Sequence, residues 1–416
     1  MPDTEFNVWK VRQEFPMLQQ TMHGKPFIYL DTAATAHKPS CVIDAMVNFY
    51  KQQYATVHRS VYDFASQATA RYDDVRRKIK EFIGATFVEE IIFTKGATEG
   101  INLVAASFGK AFIQPGDEVI ISEMEHHSNI VPWQIMCEER RAVLKYIPMT
   151  DRGELDLEAF DNLLTERTKL VSVAHIANST GTQNPVEEIV KRAHAHGAKV
   201  LIDGAQSVGR IPVNVQKIDA DFYVFSGHKC YGPTGVGVLF GKKALLDKLP
   251  PYQGGGDMID QVSLNHSTTT FQHPPLKFEA GTPMIAEVIG LGEAIKFIEG
   301  IGIWRVAAWE QDLLDYATRK MSEIGGLKII GTAPKKGAII SFVIDDLHPL
   351  DIGTLLDIRG IAVRTGQLCA QPSLERFKVT SLTRVSFGIY TTFEEIDHFV
   401  EALQEVTLLL RPALSY

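Results

Sequence analysis

The chain has 416 residues and a formal net charge of -8, with 45% hydrophobic and 22% charged residues. This composition is typical of a soluble globular protein of two or three domains, and the acidic balance argues against a nucleic-acid partner. The sequence has no apolar run long enough to span a membrane, and its first 16 residues are mixed and charged, so we expect a cytoplasmic enzyme.

The four cysteines are far apart in the sequence and form no C-x-x-C pair; they are Cys41, Cys137, Cys230 and Cys369. Neither a zinc ribbon nor a disulfide framework is therefore expected. Each cysteine is either a small core residue or a reactive thiol.

The first two thirds of the chain show an alternation of strands and helices. After an N-terminal arm (residues 1–20), amphipathic helices are predicted at 41–54 and 67–84. Short apolar strands then follow, at 90–94, 117–122, 169–176, 199–205, 222–227 and 236–241, with helices at 98–109, 129–141 and 185–197 between them. This pattern predicts an α/β fold with a mostly parallel sheet covered on both faces.

The last third of the chain has a different pattern. A helical stretch at about 282–299 leads into another at 304–324, and four short strands and a final helix follow. We predict a large domain over 21–297 and a smaller α+β domain over 298–416, with the N-terminal arm packed on the small domain.

Polar residues follow several of the predicted strands, which is where α/β sheets bind ligands. They are Thr98, His126, His127, Asn178, Asp203 and Lys229. Asp203 could instead cap the next element, and a lone lysine is usually a surface residue. An aspartate and a lysine that each follow an apolar strand nevertheless suit a pyridoxal phosphate site, where the lysine forms a Schiff base and the aspartate holds a proton on the ring nitrogen.

Seven sequence stretches together resemble one family. They are LDTAATAHKP, FTKGATEGINLVA, SEMEHHSNIVPW, LIDGAQSVGRIPVNV, DFYVFSGHKCYGPTGVGVLFG, FEAGTP and RTGQLCAQP. Their order resembles that of class II cysteine desulfurases, from about residue 20 to the C-terminus. The resemblance implies a fold-type-I pyridoxal-phosphate-dependent transferase that acts as a homodimer. It also implies conversion of L-cysteine to L-alanine, with the sulfur left as a persulfide for an acceptor of the SufE type that serves iron–sulfur cluster assembly.

The resemblance also assigns residues to the cofactor. Lys229 resembles the Schiff-base lysine, Asp203 the partner of the ring nitrogen, and Gln206 the donor to the phenolic oxygen. His126 resembles the imidazole that stacks on the ring and helps with proton transfer. A bare His-His pair could also mark a surface loop or a metal site, but no third ligand stands at zinc spacing, so no metal is expected.

The cofactor phosphate requires oriented donors, and a helix N-terminus supplies them. The stretch KGATEG begins a helix, so we predict that Ala97 and Thr98 bind the phosphate together with Ser226 and His228, which lie beside the lysine. By resemblance, Thr282 reaches the phosphate from the second subunit.

The resemblance makes Cys369 the sulfur-accepting nucleophile and Arg384 the ligand of the substrate carboxylate. Arg364 precedes Cys369, and a nearby guanidinium favours a thiolate. We also predict substrate contacts from Asn178, Ala33 and His58.

Two stretches depart from the family pattern, at positions expected around the substrate. Gln367 and Leu368 stand where relatives commonly have two histidines, and Ser60 and Tyr62 depart from the common V-H-R-G-I-H. A selenocysteine lyase that releases selenium and L-alanine is the main alternative function. A non-catalytic scaffold is disfavoured by the complete residue set, and a nicotinamide dehydrogenase by the absence of G-x-G-x-x-G after the first strand.

Overall fold

The computed structural model of the chain describes residues 6–265 and 268–411. The ends of the predicted arm and of the predicted small domain, at 1–5 and 412–416, lie outside the described residues. Within the described part, no helix has both the length and the apolar character needed to cross a membrane.

The strands differ in length from two to seven residues. In chain order they are β1 (Thr21–Met22), β2 (Lys25–Pro26), β3 (Ile28–Tyr29), β4 (Ile91–Thr94), β5 (Glu118–Ser122), β6 (Val143–Ile147), β7 (Thr168–Ala174), β8 (Lys199–Asp203), β9 (Phe222–Ser226), β10 (Gly237–Gly241), β11 (Ile259–Gln261), β12 (Thr270–Phe271), β13 (Leu327–Ile330), β14 (Ile339–Ile344), β15 (Ile361–Ala362), β16 (Arg364–Gly366) and β17 (Leu382–Ser386).

Helices alternate with strands from β4 to β9, and the order is less regular after that. They are α1 (Val8–Gln13), α2 (Ser40–Asn48), α3 (Asp63–Phe82), α4 (Ala97–Phe112), α5 (Val131–Arg140), α6 (Leu157–Leu163), α7 (Val186–Ala195), α8 (Val215–Ile218), α9 (Lys243–Leu246), α10 (Ile285–Ile301), α11 (Ile303–Ser322), α12 (Pro349–Asp357), α13 (Gln371–Arg376) and α14 (Phe393–Leu410).

A seven-stranded sheet in the order β4-β10-β9-β8-β7-β5-β6 forms the centre of the molecule. Strand β10 is antiparallel to both of its neighbours, and the remaining pairs are parallel. The predicted mostly parallel α/β sheet is therefore confirmed. The sequence analysis missed the edge strand β6, because its residues are mostly half-buried or exposed and include Lys145.

Both faces of this sheet are buried, which explains why its inner strands are continuous apolar runs. One face packs against helices α4 and α5, and the other against α3, α7 and α10. Helix α4 lies close to the sheet at Gly100, where an added Cβ would lie only 2.9 Å from Val224. A larger side chain at this position would push the helix away from the sheet.

A second sheet, in the order β13-β14-β17-β16, carries helices α11, α12 and α14 and has a separate hydrophobic core. Helix α10 runs to Ile301, and Gly302 with φ of 96° separates it from α11. We propose that this α+β unit is the small domain; the boundary after residue 297 stays a prediction.

The N-terminal arm contacts residues near the end of the chain. The Phe15 ring packs on Tyr390 with centroids 4.9 Å apart, and Arg12 forms an ion pair with Glu395 at 2.9 Å. These contacts support the proposal that the arm packs on the small domain, although Phe15 also touches Phe297 of α10.

A buried ion pair anchors the segment that leads into Thr282. Arg76 of α3 donates from Nη1 and Nη2 to the two carboxylate oxygens of Glu279, at 2.7 and 2.9 Å. The side chains are only 6% and 5% exposed. Glu279 also accepts the backbone N–H of Phe93 in β4 at 2.7 Å, so the pair ties helix, sheet and loop together.

We expect Arg76→Met to lower the free energy of unfolding by about 3–5 kcal/mol, because it leaves the Glu279 carboxylate buried without its countercharge. Urea denaturation measures the change. Arg77→Met is the matched control, since Arg77 pairs with Asp74 on the surface and should lose about 1 kcal/mol or less. Equal losses in the two variants would contradict the assigned importance of the buried pair.

Candidate active site

A cavity of about 310 Å³ lies at the carboxyl ends of β7, β8 and β9 and is closed on one side by residues of the second sheet. Thirteen of its lining residues are sequence-predicted site residues: Ala33, Ala97, Thr98, His126, Asn178, Asp203, Gln206, Ser226, His228, Lys229, Arg364, Cys369 and Arg384. Strands that end at the same edge of the large sheet bring most of these residues together, as the sequence pattern indicates, and Ala33, Arg364, Cys369 and Arg384 come from the N-terminal segment and the second sheet.

Two predicted site residues do not line this cavity in the single chain. The backbone N–H of His58 donates to Thr69 Oγ1 at 2.9 Å, and its ring packs edge-on against Tyr72. Thr282 is exposed on the surface. The roles predicted for both residues stay predictions.

Asp203 and Lys229 lie at the base of the cavity. Asp203 is the last residue of β8 and is buried, and its Oδ1 accepts the Ala205 N–H at 2.9 Å. Burial raises the pKa of the Asp203 carboxyl. Burial also lowers the pKa of Lys229 to about 8, while the Asp203 carboxylate opposes that shift by favouring the ammonium form. A lysine amine with this pKa serves as a nucleophile or base near neutral pH.

Hydroxyl groups and backbone donors line the end of the cavity beside helix α4. The Ala97 N–H at the start of this helix donates to Ser226 Oγ at 2.8 Å, and the hydroxyls of Thr98 and Ser128 are 2.8 Å apart. His228 Nδ1 lies 3.1 Å from Thr35 Oγ1. A helix N-terminus with several hydroxyls is suited to an anion. Ser128 was not predicted; only its place in the SEMEHHSN stretch could have indicated it.

His126 has a fixed ring orientation because its Nδ1 accepts the Ser128 N–H at 3.1 Å. This contact assigns the ring proton of the neutral imidazole to Nε2. Burial, together with the nearby Lys229 charge, lowers the pKa of His126 to about 3. The ring is therefore neutral at physiological pH and is a hydrogen-bond donor at Nε2.

Arg384 is buried in β17 and uses two of its nitrogens for the protein. Nη1 donates to the Asn178 carbonyl and Nη2 to Asp31 Oδ1, both at 3.0 Å. Its Nε is buried and has no partner among the described residues. Arg364 pairs with Arg384 across β16 and β17, so both guanidinium groups belong to the same wall of the cavity.

The carboxylate partner of Arg384 was missed by the sequence analysis. Asp31 follows the apolar strand β3, and that position after a strand was the available signal. Burial raises the pKa of Asp31, and the Arg384 charge opposes the shift.

Glu125 is another buried carboxyl group that the sequence analysis missed, although it immediately precedes His126. Its oxygens accept from Asn129 Nδ2 at 2.7 Å and from the Ala174 N–H at 3.1 Å. Burial raises the pKa of Glu125 to about 8. These bonds hold the loop of His126 against the end of β7.

Gln206 bridges the cavity wall to the N-terminal segment. Its Nε2 donates to the Ala33 carbonyl at 2.7 Å, whereas its buried Oε1 lacks a partner within the described ranges. The amide therefore retains hydrogen-bonding capacity toward the cavity.

Cys369 is exposed, whereas Cys137 and Cys230 are buried and Cys41 is half-buried. Burial raises the pKa of Cys137 to about 11 and that of Cys230 to about 12, so both are poor nucleophiles. Leu368 and Cys369 have φ values of 55° and 53°, which place two consecutive non-glycine residues in the left-handed region. Such backbone strain is typical of functional sites.

The carbonyl groups of this strained turn are both hydrogen-bonded. Asn178 Nδ2 donates to the Leu368 carbonyl at 2.8 Å, and the His127 N–H donates to the Cys369 carbonyl at 2.7 Å. The side-chain amide of Asn178, which we predicted to contact substrate, therefore supports the cysteine turn.

A family model described as aminotransferase class-V matches residues 28–399. The chain belongs to the class-V aminotransferase family. An Escherichia coli protein named cysteine desulfurase is 47% identical over 97% of this chain and 99% of its own length. A probable cysteine desulfurase of Mycobacterium leprae is 48% identical over 96% of this chain, which spans 65% of that relative.

Solved structures agree with this assignment. The crystal structure of the cysteine desulfurase CsdA from Escherichia coli superimposes with a TM-score of 0.90 at 37% identity, over 97% of this chain and 99% of that one. A cysteine desulfurase from Thermococcus onnurineus gives a TM-score of 0.89 at 36% identity, over 94% and 98%. The resemblance to cysteine desulfurases and the fold-type-I architecture are thus confirmed.

In the cofactor-free protein, we expect the amine of Lys229 to react with acetic anhydride with a midpoint near pH 8, and Asp203→Asn to move this midpoint to lower pH. The midpoint falls because the Asp203 carboxylate favours the ammonium form of Lys229, and asparagine carries no such charge. Competitive labelling followed by mass spectrometry measures both midpoints. Lys217, with a side chain 73% exposed, is the internal reference. A Lys229 midpoint near the ordinary value of about 10.4 would contradict the assigned environment.

Proposed function

We propose that the protein converts L-cysteine to L-alanine and transfers the sulfur, as a persulfide on Cys369, to an acceptor. One observation carries the proposal: the exposed Cys369 thiol lines the same cavity as Lys229, Asp203 and Arg384. A lysine, a carboxylate, an arginine and a thiol are the groups that this chemistry requires.

The cavity suits pyridoxal 5'-phosphate as the cofactor. Bound there, the cofactor supplies an electron sink for charge that develops at the substrate Cα. The residues that would hold it are Lys229 as covalent partner, Asp203 at the ring nitrogen, Gln206 at the phenolic oxygen and His126 against the ring. The buried Asp203 carboxyl beside the Lys229 amine in one cavity, and the hydroxyl-lined start of helix α4, support this fit.

Ala97, Thr98, Ser226 and His228 form the proposed phosphate site, with Thr282 contributed by a second subunit. The helix N-terminus favours an anion through its free N–H groups. His228 is neutral at physiological pH, since burial lowers its pKa to about 4, so it acts as a hydrogen-bonding group.

Arg384 is the proposed ligand of the substrate carboxylate. Its Nε is buried and has no hydrogen-bond partner among the described residues, so a carboxylate that binds there satisfies a donor that is otherwise unsatisfied. Arg364 adds a second positive charge to the same wall. Asn178, Ala33 and His58 remain predicted substrate contacts.

The chain supplies the proton transfer and the nucleophile. The Lys229 amine, with its lowered pKa, accepts the proton from the substrate Cα and returns a proton to the carbon product. The Cys369 thiolate attacks the substrate sulfur. A Sγ–S bond forms as the Cβ–S bond breaks, and the electron pair of the broken bond goes to the carbon fragment, which becomes L-alanine after protonation.

We expect Cys369→Ala to lower L-alanine release by at least about 100-fold, because no other cysteine among the described residues lines the cavity. The cofactor absorbance should still change when L-cysteine is added, since that step needs Lys229 and not the thiol. Cys41→Ala is the control and should retain wild-type turnover.

Peptide mapping of wild-type enzyme given L-cysteine without acceptor should locate one thiol-reducible sulfur on Cys369. A persulfide on Cys230, or full alanine release without Cys369, would show that the nucleophile is misassigned. Turnover of selenocysteine but not cysteine by the wild-type enzyme would favour the selenocysteine lyase alternative.

The homodimer, the cytoplasmic location and the SufE-type acceptor are also proposals. An exposed apolar surface around the end of α2 and the start of α3 supports a dimer; it comprises Tyr50, Tyr54, Val61, Tyr62 and Phe64. Val61 is 98% exposed, which is unfavourable for an isolated subunit in water.

Mixed dimers test the shared site. A dimer of one Lys229→Ala subunit and one Thr282→Ala subunit should have about half of wild-type activity, because one of its two sites then contains both native residues. Differently tagged subunits allow the mixed dimer to be purified and assayed. If Thr282 acts within its own subunit, the mixed dimer has no intact site, and its activity stays at the level of the Thr282→Ala site.

A further inference from the structure

The turn that carries Cys369 depends on contacts with residues distant in sequence. Left-handed backbone at a non-glycine residue brings its Cβ too close to the following carbonyl oxygen, so two consecutive residues must be held in place by their surroundings. The turn contains one internal bond, from the Ala370 N–H to the Gln367 carbonyl at 3.0 Å. The remaining support comes from outside the turn.

Leu368 anchors one side of the turn. Its side chain is 7% exposed and packs with Ile330, Leu374 and Leu382 in a small hydrophobic cluster. The side chain of Leu368 packs in this cluster and borders the cavity, while the next residue, Cys369, is exposed and also lines the cavity. Leu368 therefore fixes the residue that directly precedes Cys369.

His127 holds the other side of the turn at two points. Its backbone N–H donates to the Cys369 carbonyl at 2.7 Å, and its Nε2 accepts the Gln371 N–H at 3.2 Å. The second contact requires the neutral tautomer with the proton on Nδ1. His127 therefore bridges the peptide groups on both sides of Ala370, immediately after the reactive thiol.

The Gln371 N–H needs such an acceptor because it is the first N–H of helix α13, and the first N–H groups of a helix have no partner within the helix. Ala370, at the N-cap position, has no side chain that could accept it. His127 Nε2 replaces the missing cap from another part of the chain.

We propose that His127 is a positioning residue for Cys369: through its ring it caps helix α13 and holds the thiol at the cavity, while the adjacent His126 serves the cofactor. This role deepens the proposed function and rests on it. The two histidines then have different roles, because the His126 ring lines the cofactor cavity and the His127 ring accepts a hydrogen bond from the cysteine turn.

Three substitutions at residue 127 separate the ring nitrogen from other effects of the side chain. His127→Gln places an amide oxygen at about the reach of Nε2, whereas His127→Asn places the same group at the reach of Nδ1, too short for Gln371. His127→Ala has no side-chain acceptor at either position. The backbone bond to Cys369 is available in all three variants, so the comparison tests the ring contact alone.

The first readout is amide hydrogen exchange of Gln371 in the holoenzyme without substrate. Exchange should be about fivefold faster in the Ala and Asn variants, as expected for the loss of one hydrogen bond, and near wild type in the Gln variant. Equal exchange in all four proteins would overturn the proposed cap. This readout is independent of desulfurase activity.

The second readout is turnover of L-cysteine. We expect kcat for alanine release to fall about tenfold in the Ala and Asn variants, because a displaced thiol reaches the substrate sulfur less often. KM and the absorbance change on adding L-cysteine should stay near wild type, and His127→Gln should restore most of kcat.

The outcomes distinguish the two proposals. Absence of alanine formation by wild-type enzyme would refute the proposed function, while hydrogen exchange still reports on the cap. Wild-type kcat in His127→Ala, or an equal loss in the Gln and Ala variants, would overturn the positioning role even though the desulfurase activity stands.

Discussion

The burial of one guanidinium group constrains the whole site. Arg384 is 3% exposed, and a buried charge is stable only when its donors have partners. Those partners come from two other segments, the Asn178 carbonyl after β7 and the Asp31 carboxylate after β3. Strand β17 of the second sheet is thereby held against the edge of the large sheet, and the cavity lies where the three segments meet. The Nε of Arg384 stays unpartnered in the described part of the chain, so the same constraint leaves a donor for a ligand.

The same burial controls the protonation of the groups around the cavity. Desolvation lowers the pKa of His126 to about 3 and that of Lys229 to about 8, and it raises the pKa of Glu125 to about 8. Each shift favours the neutral form, as expected where charges leave water. The imidazole of His126 is consequently a neutral hydrogen-bonding ring, and the proposed proton transfer at the substrate is assigned to the Lys229 amine. Asp203 moderates the shift of Lys229 because its charge favours the ammonium form.

The cysteines differ in chemistry because of their surroundings. Cys230 follows Lys229 directly in sequence, yet it is buried and its Sγ donates to the Gly227 carbonyl at 3.3 Å. Cys369 lies far from Lys229 in sequence but lines the same cavity in an exposed, left-handed turn. Maintaining that turn requires Leu368 in the hydrophobic cluster and backbone bonds to Asn178 and His127. The position of Cys369 therefore depends on contacts between segments that are remote in sequence.

The sequence by itself determined the α/β alternation and the edge of the sheet where the site lies. Buried parallel strands are continuous apolar runs, so Asp203 at the end of β8 and Lys229 shortly after β9 stand out. The family motifs added further site residues to the prediction, such as Gln206 and Arg384. The sequence analysis did not predict edge strand β6, because this strand is half-exposed and is not a continuous apolar run. Only the tertiary structure decided that Asp31 pairs with Arg384, that Leu368 is buried and that His127 Nε2 accepts the first N–H of α13. These contacts join segments that are remote in sequence, and they depend on the direction of each side chain. It also decided that His58 and Thr282 do not line the cavity of the single chain, since His58 packs on Tyr72 and Thr282 is exposed.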